Sequence, residues 1–269
     1  MKDKILNTKL AEGQIAIFYT GQEGFIIKAL DKYILIDGYL SDYVDKNCGS
    51  EKVKWVRKYG VPIKGEELDF IDYVFCTHAH YDHADPSTLK AIDKVNKKVT
   101  YIVPAAIEDK IRSYGLENII LVKADEEINL NGIKVKAIPS AHEEINLDEN
   151  GNCKEMGYIF NFGNITLYHA GDCCIYKGLA ERLEGVDVAM LPINGRDYFR
   201  YNNHVIGNMD TKEAILLAEA VGIKMIIPMH FDLYEVNAVN PAYFVDCITK
   251  SAPDLRFHIF VPGEKYILD

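Results

Sequence analysis

No two cysteines of this chain stand as a C-x-x-C pair. Cys48, Cys76, Cys153, Cys173, Cys174 and Cys247 are scattered, which argues against a zinc ribbon or dithiol redox centre and leaves them mostly as buried thiols. Also missing is any apolar run long enough to cross a bilayer. The opening stretch from Met1 to Gly13 is mixed in charge, so no signal peptide is expected and the cytoplasm is the expected compartment. Positive charge is scarce: 30 basic against 40 acidic residues give a net charge of −10. Such a body repels polyanions, so neither nucleic acid nor membrane is an expected partner. There is no short-period repeat and no low-complexity segment. The 269 residues, 48% of them hydrophobic, suffice for one large core, and a single domain over 1–269 is expected.

What the chain does have is a cluster of imidazoles. Of its eight histidines, three fall in Thr77-His78-Ala79-His80-Tyr81-Asp82-His83, directly after Ile71-Asp72-Tyr73-Val74-Phe75-Cys76. The apolar run reads as a buried strand. A turn past its end can place His78 and His80 toward one ion and Asp82 and His83 toward a neighbour. Zinc accepts imidazole and carboxylate, and manganese takes the same set with more oxygen character. A loop rich in histidine by chance need not carry the spacing H-x-H-x-D-H, so the stretch is read as a metal site.

The remaining pattern is strands first, then alternating strands and helices, run through twice. Residues 14–20, 24–30 and 32–37 read as an opening meander broken by Gly21-Gln22-Glu23-Gly24 and Asp31. Residues 50–59, with Val53, Trp55 and Val56 as apolar positions, are predicted as a helix stopped by Gly60. Asp85-Pro86-Ser87 starts a helix to Val95. Strands are predicted at 100–103, 119–122 and 127–137, the last turning at Asn131-Gly132, with a helix over 104–114. Residues 143–154 read as an exposed loop. Strands at 157–162, 164–168, 186–191 and 224–229 and helices at 210–221 and 240–250 follow. Residues 256–261 and 265–268 are expected to close a second sheet. The implied class is α+β, two mixed sheets face to face with helices outside.

Further donors stand at strand ends: His142 after Ala137-Ile138-Pro139-Ser140-Ala141, Asp172 within His169-Ala170-Gly171-Asp172, and His230 after Ile226-Ile227-Pro228-Met229. Singly each is an ordinary turn residue. Their order, H-x-H-x-D-H, then His, then Asp after glycine, then His, resembles the metallo-β-lactamase superfamily over most of the chain. The resemblance implies a four-layer αββα sandwich with metals at one edge between the sheets. It implies that His78, His80 and His142 hold a first divalent cation and Asp82, His83 and His230 a second, with Asp172 bridging. Zinc, manganese or iron suits that set.

Within the superfamily, three stretches resemble the L-ascorbate-6-phosphate lactonase group. They are Leu191-Pro192-Ile193-Asn194-Gly195-Arg196-Asp197-Tyr198, Ile206-Gly207-Asn208-Met209-Asp210 and Pro228-Met229-His230-Phe231-Asp232. The chain looks short for that group and lacks its N-terminal extension. The resemblance implies opening of a phosphorylated sugar lactone by a hydroxide shared between two cations about 3.5–4 Å apart. Asp82 and Asp172 are the catalytic carboxylates of that scheme. Asn194, Arg196, Tyr198 and Arg200 are the expected contacts to a small anionic substrate, since guanidinium forks match phosphate oxygens. The competing reading of Arg196 is a structural ion pair, for instance with Asp197 or Asp232. Homo-oligomerisation is within the same expectation.

Two rivals follow from the same donors: a phosphodiesterase or nuclease of this fold, and an iron-binding redox or sensor protein. The acidic charge opposes the first, and the absence of an electron-carrier module opposes the second. His169 is expected to support the ligands without binding metal. Cys173 and Cys174 are expected as buried thiols, His204 as a solvated side chain and Tyr81 as packing. His258 is given no role.

Overall fold

The opening strands are apolar on both faces, so they must be covered on both sides. In the computed structural model, which describes residues 1–269, β1 (Ile15–Gly21) is buried at every position and β2 (Gly24–Ala29) at all but one. These two pair antiparallel, and β3 (Lys32–Ile36) continues the meander. Pairing then turns parallel through β4 (Tyr73–Phe75), β5 (Thr100–Pro104) and β6 (Ile119–Val122).

The second half repeats the plan. An antiparallel meander of β7 (Glu127–Leu130), β8 (Ile133–Pro139), β9 (Met156–Asn161) and β10 (Thr166–His169) leads into parallel β11 (Val188–Pro192), β12 (Met225–Met229) and β13 (Arg256–Phe257). The last strand, β14 (Lys265–Leu268), crosses back and pairs with β1. Two mixed seven-stranded sheets result.

Alternation along the strands builds the layers. Ile17 and Tyr19 of β1 face the second sheet, whereas Phe18 faces the opposite way, toward Leu89 and Ile92 of the helix Pro86–Val95. Between the sheets, Phe75 meets Tyr158 and Phe160 edge-on at 4.9 and 5.0 Å between ring centroids. Truncating such a ring costs about 3–5 kcal/mol. The helices Thr211–Val221 and Pro241–Ser251 cover the second sheet with Ala214, Ile215, Phe244 and Ile248. This is the expected αββα order.

Helix starts follow from their caps. Asp85 accepts from Ser87 N ahead of Pro86, Asp210 and Glu213 form a capping box, and Asn240 accepts from Ala242 N ahead of Pro241. No helix is long and apolar enough to cross a membrane.

Two expectations fail. Residues 50–59 form no helix, because tertiary partners claim the groups a helix would use. Arg57 N donates to Asp45 Oδ1 at 2.8 Å, Lys58 N to Leu233 O at 3.0 Å, and Trp55 packs edge-on to Tyr234 at 5.1 Å. A helix does form just upstream, at Tyr43–Asn47. The closing strands also part company: 256–257 extends the second sheet, whereas 265–268 belongs to the first. The remaining residues of 256–261 lie outside any strand.

The topology fixes where a site can form. β8, β10, β11 and β12 run the same way, so their carboxyl ends share one edge. The carboxyl end of β4 brings the His-rich loop to that edge.

Candidate metal centre

The loop after β4 is anchored before it turns. Thr77 donates through N to Asp37 Oδ1 (2.8 Å) and through Oγ1 to Asp37 Oδ2 (2.6 Å). The His80 carbonyl then accepts from His83 N (3.1 Å) and Ala84 N (2.8 Å), folding the imidazoles back. His78 Nε2 and His80 Nδ1 lie 2.9 Å apart, and His142 Nε2 lies 3.1 Å from Asp172 Oδ2. Ligand atoms of these four residues lie within 4.8 Å of one another.

A second group adjoins the first. His83 Nε2 is 3.6 Å from Asp82 Oδ2 and 3.5 Å from Asp172 Oδ2, and His230 Nε2 is 3.2 Å from Asp172 Oδ1. Asp172 thus reaches both groups. His230 takes a left-handed backbone (φ 57°), held by its N–H to Gln22 O at 2.9 Å.

The donors fit cations rather than one another. His83 Nδ1 is 2.8 Å from Asp37 Oδ2, which assigns the ring proton to that nitrogen, and buried Nε2 then has no partner. Burial lowers the His78 pKa well below the usual imidazole value, pushes His80 down to about 4, and lowers His142. These rings are neutral and offer lone pairs. His83 moves the other way: burial lowers it, but the Asp82, Asp172 and Asp37 carboxylates more than reverse that. Burial pushes the Asp172 carboxyl up, and His230, His142 and His83 together hold it well below the carboxylate range.

Support for Asp172 comes from Asn208, backed by Asn194, one of the residues read as a substrate contact. Asn208 Nδ2 donates to Asp172 Oδ1 (2.7 Å) and lies 3.2 Å from Asn194 Oδ1, and Asn194 Nδ2 donates to Asn237 Oδ1 (2.9 Å). Arg200 is buried and committed to Asp197, Asn237 Oδ1 (2.8 Å) and Asn194 O (2.8 Å). Arg196 pairs with Glu213 Oε1 at 2.6 Å and donates to Asn208 O at 2.7 Å. Tyr198 is 84% exposed. Arg196 thus forms an ion pair, with Glu213 in place of the acids named for it, and Arg200 forms one with Asp197. Asp232 instead sits with the hydroxyls of Tyr59 (2.8 Å) and Tyr19 (3.0 Å).

Other side chains fall behind or beside the donors. His169 Nε2 meets Glu23 O at 2.9 Å, bracing the β1–β2 turn. Cys173 and Cys174 are buried, with Cys173 pushed up to about 11 by burial. Tyr81 packs beneath the Lys110 ammonium, 4.0 Å from its ring centre. His258 pairs with Glu264 at 3.0 Å.

Two residues were not foreseen. The tip of the β1–β2 hairpin, Gln22-Glu23, reads in sequence only as a break between strands. Instead, Gln22 Nε2 lies 3.0 Å from Asp82 Oδ2 and 3.1 Å from His230 Nε2, and Glu23 is wholly buried beside them.

A cavity of about 190 Å³ opens onto His80, Asp82, His142 and Asp172. Val44, Cys48, Trp55, Tyr81, Val205 and Ile206 form its apolar wall, with His204 and Asn237 as further polar groups. His204 is exposed, as expected, and also borders this cavity. No lysine or arginine lines the cavity.

The geometry agrees with known proteins. A family model described as a beta-lactamase superfamily domain matches residues 33–231. A UPF0173 metal-dependent hydrolase of Nanoarchaeum equitans is 32% identical over 66% of this chain and 78% of its own. One from Caldivirga maquilingensis is 25% identical over 91% of this chain and 95% of its own. Among solved structures, an isothiocyanate hydrolase from Delia radicum gut bacteria superposes with a TM-score of 0.76 at 20% identity. It covers 93% of this chain and 98% of its own.

Proposed function

We propose, for a chain that belongs to the beta-lactamase superfamily among its UPF0173 metal-dependent hydrolases, that the substrate is a small uncharged carbon electrophile, with a lactone as the best-fitting class. The observation that carries this reading is the cavity wall, which is mainly apolar beyond the metal donors and holds no lysine or arginine. The lactone half of the sequence expectation is kept. Its phosphate half is not, because Arg196 and Arg200 already hold Glu213 and Asp197.

His78, His80 and His142 would hold one cation, and Asp82, His83 and His230 a second, with Asp172 between them. Zinc or manganese suits that donor set. When bound, such ions would polarise a carbonyl and lower the pKa of a bound water toward neutrality. The chain supplies orientation and exclusion of bulk water. Asn208 fixes one oxygen of Asp172, and Gln22 fixes Asp82, whose carboxylate borders the cavity. Trp55, Val205 and Ile206 would seat the apolar part of the substrate. Water adds across the acyl C–O bond. In a lactone the leaving oxygen stays tethered, so the product is a single hydroxy acid.

The same wall favours one second reading. Isothiocyanates are small, apolar and uncharged, and a protein of this fold hydrolyses them. The test is a screen of metal-replete protein against aliphatic lactones, isothiocyanates, sugar-phosphate lactones and a phosphodiester. Turnover of neutral lactones is expected. Turnover confined to the phosphate-bearing compounds would overturn the proposal.

A further inference from the structure

Hairpin tips between two exposed strand ends normally meet water, and polar residues there need no explanation. The tip of β1–β2 does not meet water. Glu23 is 0% exposed and Gln22 2% exposed. Neither carboxylate oxygen of Glu23 has a hydrogen-bond partner. A buried carboxylate without donors is among the most costly groups a fold can hold, unless a cation faces it.

The surroundings say which cation. A Glu23 oxygen lies within 4.8 Å of ligand atoms of Asp172 and His230, and Oε2 lies 3.7 Å from His83 Nδ1. The neighbouring Gln22 amide touches Asp82 and His230. The turn therefore reaches Asp82, Asp172 and His230, three of the four groups assigned to the second cation, and meets the fourth, His83, on its Nδ1 side. Its backbone is locked. Gln22 has φ 60°, its N–H donates to Tyr59 Oη (3.1 Å), and its carbonyl accepts from His230 N (2.9 Å). Gly24 admits the turn, since a Cβ there would come within 2.2 Å of Thr20 Oγ1.

We infer that Glu23 is a carboxylate ligand of the second cation, completing a site of two imidazoles and three carboxylates with His83, His230, Asp82 and Asp172. That donor set is oxygen-rich, whereas His78, His80, His142 and Asp172 are mainly nitrogen. The second site should therefore prefer manganese to zinc more strongly than the first does. The inference rests on the two-cation reading above, and its test separates the two claims.

Wild-type protein and Glu23→Gln are stripped with chelator and reloaded with Mn(II) or Zn(II) alone. Bound metal is counted by elemental analysis, site affinities are titrated, and melting is followed with and without metal. Wild type should bind two ions; if it binds one, the two-cation reading fails and Glu23 with it. E23Q should keep the first ion and bind the second at least about 100-fold more weakly, beyond the 10–100-fold that an outer partner costs. Its metal-free melting point should equal or exceed that of wild type, because an unpaired buried carboxylate is gone, while its metal-loaded melting point falls. Two ions bound with unchanged affinity would overturn the assignment, as would equal destabilisation with and without metal. If E23Q does not fold, Glu23→Ala gives the same readouts.

Discussion

Each sheet has a tight polar hairpin between adjacent strands: Gln22-Glu23 joins β1 to β2, and Asn131-Gly132 joins β7 to β8. The second follows ordinary turn grammar. Asn131 and Gly132 are exposed, with φ of 53° and 99°, and Gly132 N donates to Asn129 Oδ1 at 2.9 Å. The first has the same outward chemistry but ends beside Asp82, Asp172 and His230. A polar turn shows that a segment avoids the apolar core. It does not show that the segment faces water, because a cluster of metal donors is an equally polar destination. The contrast predicts that changes around the buried tip act on metal and chemistry, and changes at the exposed tip act on stability alone.

The largest effect should come from the carboxylate both donor groups share. Asp172→Ala removes the only side chain reaching His142, His83 and His230 together. Electrophilic stabilisation worth several kcal/mol goes with it, so turnover should fall about 10³-fold or more. Metal analysis should show both ions weakened. Retention of two tightly held ions would mean that Asp172 does not bridge.

Acid should separate the two ions. A proton competes with a cation for an imidazole only below that ring's pKa. His80 lies near 4, and His78 and His142 are lowered with it, so the first cation should survive well below the ordinary imidazole range. His83 is raised by its carboxylate neighbours, so protons contest the second cation at a higher pH than the first. Dialysis from pH 8 to 4 with metal counting should release the second ion before the first as pH falls. Release in a single step would remove the electrostatic distinction between the groups.

Asn208 acts one bond further out. Asn208→Ala frees one oxygen of Asp172, and a lost outer partner of this kind weakens metal about 10–100-fold. A titration giving unchanged affinity would show that Asp172 is held by other contacts.

At the exposed tip the currency changes. Gly132 has open space around it but a backbone that L residues rarely adopt. Gly132→Ala should cost about 1–2 kcal/mol of stability and leave metal content and turnover untouched. A fall in bound metal would break the contrast between the tips.

The cluster of potential metal donors was legible because it combines a fixed spacing with placement at strand ends. His78, His80, Asp82 and His83 share one loop, and parallel strands carry His142, Asp172 and His230 to the same edge. Cap residues made the longer helices legible as well: Asp85, Asp210 and Asn240 act within a few positions of themselves. Whatever depended on distant partners was hidden. Trp55 docks on Tyr234, and Glu23 meets residues far along the chain, with no local pattern to mark either contact. Arg196 misled for the same reason, since a guanidinium that grips phosphate and one that grips Glu213 look alike in sequence.

Arg196 therefore supplies the smallest and sharpest test. Its guanidinium is partly exposed and paired with an exposed-side carboxylate, a pairing that contributes about 0–1 kcal/mol. Loss of its bond to Asn208 O would be felt only indirectly, through the support of Asp172. Arg196→Gln should shift melting slightly and leave the KM for neutral lactones unchanged. If KM for a phosphorylated lactone rose tenfold while that for its dephosphorylated analogue stayed fixed, the side chain would have to leave Glu213 to meet substrate. The 196–200 loop would then belong with the buried tip as part of the working site, and not with the structural surface.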